Sequence, residues 1–237
     1  MMFPVLCRLL EANPPEATYE DYRRSILEEN VLGKETASTR LWTWKKLREL
    51  YGLDLKLPVF RCFRQLWEAD PVGRPLLALL CACARDPILR GSASVILETP
   101  HGSVVAPQDF SKAVAEAMPD RFSSTNLKAI GSRLCASWTQ AGHLSGGKVR
   151  RRARPKVTPE ATAYALVLGR LCGARGLLLF STFWARLLDA PREELFELAA
   201  VASQRGWIDL KRVGSVVEVG FSRLLTRQEE EALREPH

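Results

Sequence analysis

Six cations fall within nine residues at Lys148-Val-Arg-Arg-Arg-Ala-Arg-Pro-Lys156. No carboxylate lies near them in sequence, so internal pairing is not expected. A line of phosphates is the natural counterpart, each neutralised phosphate releasing condensed counterion. Arginine fills four of the six positions, which suits insertion into a narrow minor groove. The chain as a whole carries 34 Lys and Arg against 27 Asp and Glu, a net charge of +7. Residues 121–159 hold nine basic and no acidic residues, leaving 25 basic against 27 acidic elsewhere. Segregation of that kind marks a polyanion-binding element. Two other readings of the run stand beside it, a solvated linker and a cationic face for an acidic partner protein.

The elements around the run decide how it is presented. Pro107 to Met118 reads as a helix, Pro119 to Phe122 as a turn, and Ser123 or Ser124 as the cap of a long helix to about Ala141, stopped by Gly142. His143-Leu-Ser145 and Lys148-Val-Arg150 around Gly146-Gly147 read as a tight hairpin. Helix, turn, helix, hairpin is the order of a winged helix-turn-helix, with Thr125 to Gln140 as recognition helix and the hairpin as wing. Its first turns carry Ser124, Thr125, Asn126 and Lys128, of which Asn126 could read adenine bidentately. Ser124 and Thr125 serve equally well as plain capping residues. Arg133 and Gln140 are candidate backbone contacts, whereas Leu127, Ile130, Leu134 and Trp138 have core spacing.

Upstream, residues 1–90 read as a helical bundle. Thr18 caps a segment through Asn30, and Ser38 to Tyr51 follows, closed by Gly52, with Leu41, Trp44, Leu47 and Tyr51 as its buried face. Pro58 starts Val59 to Ala69, with Phe60, Phe63 and Trp67 on one stripe. Arg74 to Arg85 is apolar nearly all round and should be the central helix. A second basic cluster, Arg40, Lys45, Lys46, Arg48, Lys56, Arg61 and Arg64, either extends a nucleic-acid surface or is a solvated helix face, and Trp42 falls off the buried stripe beside it. Ser94 to Glu98 reads as a short β-run. Residues 91–158 then form the winged unit with its basic wing.

Residues 159–225 repeat the order without the basic wing. Thr158-Pro159 opens a helix through Leu171; Phe180 to Leu188 and Pro191 to Gln204 are two more. Trp207 to Lys211 and Val216 to Phe221 alternate as a second hairpin. The charged tail, Thr226 to His237, frays or forms a short exposed helix. The expected class is therefore mainly α, with two short β-hairpins.

Three motifs carry a family resemblance: Glu29-Asn-Val-Leu-Gly-Lys34 with Ala37-Ser-Thr-Arg40, Leu47-Arg-Glu-Leu-Tyr51, and Ser137-Trp-Thr-Gln-Ala-Gly-His-Leu144. In these the chain resembles the BrxA family of the BREX phage-exclusion systems, over about residues 18–225. The resemblance implies a small, mostly helical protein that binds double-stranded DNA and serves bacterial defence against phage. It supplies no catalytic residues. The chain departs from it in a longer loop and the dense arginine run at 148–156.

Catalytic signals are few. His101, His143 and His237 are the only histidines, and none accompanies a nucleophile pattern. Gly146-Gly147-Lys148 lacks both the first Gly and the following Ser/Thr of a phosphate loop. The six cysteines form no C-x-x-C pair and read as reduced, buried small hydrophobes, with no metal site expected. The longest uncharged apolar run, Pro75 to Ala84, is about half of what a bilayer needs. The expectation is a cytoplasmic, cofactor-free, non-enzymatic protein that binds double-stranded DNA as a monomer. A structural subunit docking other defence proteins, an RNA binder and a transcription regulator are the alternatives.

Overall fold

A computed structural model describes residues 1–214 and 216–233 of the chain. Helices dominate it, and each strand pair is a short antiparallel hairpin. In chain order the helices are α1 (Phe3–Glu11), α2 (Tyr19–Leu27), α3 (Ala37–Tyr51), α4 (Pro58–Ala69), α5 (Arg74–Arg85), α6 (Pro87–Gly91), α7 (Ala93–Leu97), α8 (Pro107–Ala117) and α9 (Ser124–Gln140). Strands β1 (Leu144–Ser145) and β2 (Arg151–Arg152) precede α10 (Pro159–Leu171), a 3₁₀ segment (Gly176–Ser181), α11 (Phe183–Arg186) and α12 (Arg192–Gln204). Strands β3 (Asp209–Val213) and β4 (Val216–Gly220) and helix α13 (Arg227–Ala232) complete the order. Among the described residues no helix is long and apolar enough to cross a membrane.

Local chemistry places most boundaries. Thr18, Thr36, Ser123, Thr158 and Thr182 each cap a helix, the side-chain oxygen accepting from a backbone N–H of the first turn. Gly52 and Gly142 end α3 and precede β1 with φ of +83° and +89°, a region open mainly to glycine.

Two helices are buried on every side. Leu76 through Cys83 of α5 are all buried, as are Glu160 through Arg170 of α10. The two pack on each other and on α4, while the other side of α10 meets α11 and α12. Polar pairs tie their ends. The Asp70 carboxylate accepts from Gly73 N ahead of α5 and from the Thr158 hydroxyl ahead of α10. Glu160, 3% exposed, accepts from Arg205 and from the Trp207 indole N–H at the end of α12. Phe63 sits where the helices converge, its ring in contact with Tyr51, Phe60, Trp67 and Tyr164.

Several expectations need correction. The Ser94 to Glu98 β-run is helical, as α7, because Ala93 and Ile96 turn into the core beside α8; a short apolar run does not distinguish strand from helix. Leu41 is 44% exposed. Three-residue steps lag the 3.6-residue turn by about 60° each, so by Leu41 the stripe has rotated out and Thr43 takes the inner place. Trp42 is exposed, as its register implied. Phe180 to Leu188 is broken at Thr182, whose side chain caps α11 rather than continuing a helix. Cys172 is exposed and Cys7 half-buried, so not every cysteine is interior. Helices α1 and α6 were not foreseen.

The tail forms the short exposed helix expected, α13, with no buried residue, and side-chain bonds tie it to the rest of the chain. Glu229 pairs with Arg61 of α4, and Arg175 donates to the Leu233 carbonyl at 2.7 Å. The last four residues of the tail lie outside the described residues. Replacing Phe63 by Ala removes the ring that four aromatic neighbours share and should cost about 3–5 kcal/mol, read as a lower urea midpoint at unchanged slope.

Candidate nucleic-acid interface

The arginine run does not lie as a uniform line of charge. Strand β2 pairs with β1 in the register Leu144↔Arg152 and Ser145↔Arg151, leaving Gly146 to Arg150 as the loop. The expected second arm at 148–150 is thus shifted by a few residues. Gly146 takes φ +101°, and a Cβ there would stand 2.4 Å from the Val149 carbonyl, so this turn needs glycine. A third segment flanks β2 on its other side: Val105 N donates to Arg150 O, Arg152 N to Ser103 O, and Gly102 N to Arg152 O, with Val104 bridging Arg151. Residues 102–105, 150–152 and 144–145 therefore form one small antiparallel layer between α7 and α10.

Strand alternation then sorts the cations. Arg151 is exposed and donates to the Gly102 carbonyl at 3.0 Å. Arg152 points inward and is 4% exposed. Its Nε donates to the Ile96 carbonyl at 2.8 Å, its Nη1 to the His143 and Ala153 carbonyls, and its Nη2 stands 2.8 Å from the Asp189 carboxylate. Arg152 is therefore no phosphate contact. The expectation that these cations lack internal partners fails here and at Arg154, which lies 3.6 Å from Glu194 of α12. Both carboxylates are near in space and distant in sequence.

The remaining cations are open to solvent. Lys148, at the loop tip, and Lys156 are exposed; Arg150 is half-buried and donates to the Gly146 carbonyl. Among the described residues none of Lys128, Lys148, Arg150, Arg151 and Lys156 has an ion-pair partner.

Helix α9 runs beside this layer. Ser123 caps it by accepting from Asn126 N, leaving Ser124, Thr125, Asn126 and Lys128 exposed on its first turns. Gly131 lets it approach α8 closely, since a Cβ there would stand 2.3 Å from the Pro107 carbonyl. Leu134 and Trp138 are buried, with Leu127 and Ile130 half-buried against the core. Arg150 is near enough to Cys135 to act electrostatically on its thiol, whose pKa burial raises and Arg150 lowers. At 100° per residue, Lys128 shares that side of α9 with Cys135, whereas Arg133 is rotated by about 140° from Lys128. Arg133 and Gln140 accordingly line a separate groove.

The second basic cluster is largely engaged. Arg64 is buried against Glu68, the Tyr22 hydroxyl and the Leu10 and Asn13 carbonyls. Arg61 pairs with Glu229 and Lys46 with Glu49 at 2.7 Å. Lys45 is exposed, and Arg40 is half-buried with an Nε that meets no hydrogen-bond partner. The structure does not join these residues to the hairpin side of α9.

His143 fixes the corner between α9 and β1. It is fully buried, its ring edge-on to Trp138 at 5.0 Å, and its Nε2–H donates to the Leu187 carbonyl at 2.8 Å. Burial foremost, with help from Arg152, lowers its pKa from 6.5 to about 4, so it is held neutral. The protein should then lose stability as pH falls from 6.5 towards 4, because only the unfolded chain binds the proton there, with a slope of at most about 1.4 kcal/mol per pH unit. Urea midpoints between pH 7 and 5 are expected to decline, and the decline to shrink in His143→Gln. Arg152→Ala leaves the Asp189 carboxylate facing the His101 ring at 3.5 Å and no guanidinium, at a cost of up to about 3–5 kcal/mol, measurable as a fall in melting temperature beyond that of Arg151→Ala.

Two residues of the motifs quoted above, Asn30 and Trp138, have structural roles. Asn30, at φ +54°, closes a turn by bonding both N–H and C=O of Lys34, and Trp138 donates to the Ser92 hydroxyl at 2.8 Å. None of the family models, curated proteins or solved structures compared with the chain matches it.

Proposed function

We propose that this chain is a non-enzymatic, double-stranded-DNA-binding protein, acting as a cytoplasmic monomer in bacterial defence against phage. In this reading residues 91–158 form a winged helix-turn-helix unit, with α8 and α9 as its helix pair and the β1–β2 hairpin as its wing. The defence role rests on the sequence resemblance to the BrxA family alone.

The observation that carries DNA binding is the set of unpaired cations around the hairpin: Lys148 at its tip, Arg150 and Arg151 on its return, and Lys128 on the Arg150 side of α9. Phosphate contacts from these supply affinity, and Asn126 at the helix start supplies any sequence preference. Lys156 extends the track beyond the hairpin. Arg152 and Arg154 take no part in it, the first because it is interior and the second because Glu194 competes for it.

One observation favours a second reading. The Arg154–Glu194 contact shows the basic segment meeting a carboxylate, as it would on an acidic partner protein. Nuclease-resistant capture of such a partner would support that alternative.

The test is anisotropy of a labelled random duplex titrated with salt. Lys148→Ala, Arg150→Ala and Arg151→Ala together should weaken binding to all sequences and flatten the log–log salt slope by roughly 2.7, at about 0.9 per lost phosphate contact. An unchanged slope removes the hairpin from the interface. Stronger competition by duplex RNA than by duplex DNA overturns the choice of nucleic acid.

A further inference from the structure

Between α3 and α9, with α6 as its floor, lies a groove of about 600 Å³, the size of a small-molecule site. It is separate from the hairpin side of α9 described above. Its interior is apolar, built from Leu50, Ile88, Leu89, Ile130 and Leu134. Trp42 forms one wall and is 52% exposed, an indole face with no aromatic neighbour recorded among the described residues.

Charge on the rim is unevenly satisfied. Lys46 and Glu49 neutralise each other at 2.7 Å, and the Asp86 carboxylate is occupied in capping α6, accepting from Ile88 N and Leu89 N. Arg85 donates to the Glu49 carbonyl rather than to any carboxylate. Arg133 is exposed, and no ion pair to it occurs among the described residues. The Met1 α-amino group also lines the groove and donates to the Ser137 hydroxyl, so the side-chain cations left without a carboxylate are the two guanidinium groups beside an apolar slot with an aromatic wall.

We propose that this groove binds a nucleotide unit, its base stacked on Trp42 over the apolar floor and its phosphate on Arg133 and Arg85. Stacking on an aromatic ring tolerates every base, since each has a π-face. Guanidinium groups match phosphate in bidentate geometry. A flat apolar body bearing an anion satisfies both halves of the site, whereas a purely aliphatic ligand leaves the arginines unanswered. The same chemistry comes from a free mononucleotide or from an unpaired nucleotide within DNA.

The probes are deoxyadenosine monophosphate, adenosine, ribose 5-phosphate and inorganic phosphate, titrated calorimetrically into the full chain. Two duplexes, one perfect and one with a single-nucleotide bulge, accompany them. The monophosphate is expected to bind at least about tenfold more tightly than either half-molecule. Trp42→Ala and Arg133→Glu, both at exposed positions, should each weaken it about tenfold or more at unchanged melting temperature. Preference for the bulged duplex, lost in Trp42→Ala, identifies the unpaired nucleotide as the source; equal binding of the two duplexes alongside monophosphate binding identifies the free nucleotide. No heat from the monophosphate and no bulge preference overturns the proposal, as does adenosine binding equally well. The Lys148, Arg150 and Arg151 triple variant keeps monophosphate binding if the two sites are independent, so failure of the hairpin interface and failure of the groove are read separately.

Discussion

The guanidinium of Arg152 is the junction on which the arrangement of the C-terminal two-thirds depends. From the middle of a three-segment β-layer it reaches the end of α7, the corner between α9 and β1, and the turn carrying Asp189 after α11. Asp189 holds a φ of +56°, an unusual conformation for a residue with a side chain. Buried ion pairs add little net stability compared with apolar packing, but removing one partner is costly. Such a pair therefore selects one arrangement among otherwise similar packings. Here it ties the hairpin to the end of α7, to the corner between α9 and β1, and to the turn after α11.

That junction works against a rigid background supplied by α5 and α10. Because both are enclosed on every side, the N-terminal helices and the C-terminal unit share one apolar interior rather than meeting across a surface. The buried thiols belong to this background: burial pushes Cys62 and Cys81 up to about 12, which keeps them protonated and unreactive.

Much of this organisation was legible in the residues. Capping threonines, the prolines opening α4, α8 and α10, and the glycines after α3 and α9 marked those helices because each acts through backbone geometry within a few residues. The all-round apolar character of α5 announced its central place. What escaped was decided by partners distant along the chain. The run at 94–98, read as a short strand, took the helical conformation that buries Ala93 and Ile96. The arginine run looked uniform because its carboxylates, Asp189 and Glu194, lie some forty residues downstream. Period-two alternation within β2 could have warned that consecutive arginines cannot all face outward. The groove between α3 and α9 could not be seen, since it exists only where two helices far apart in sequence come together; the off-stripe position of Trp42 marked its exposure alone.

The enclosure of α5 by α10 has a consequence for biosynthesis. At about 5–20 residues per second, the ribosome needs several seconds after completing α5 before α10 has been made. Through that interval the face of α5 that α10 will cover, including Cys81, which meets Tyr164 of α10, has no permanent neighbour. Nascent chains of this protein therefore carry a sticky apolar surface until synthesis is well past residue 171. A slowdown in translation between α5 and α10 prolongs that exposure.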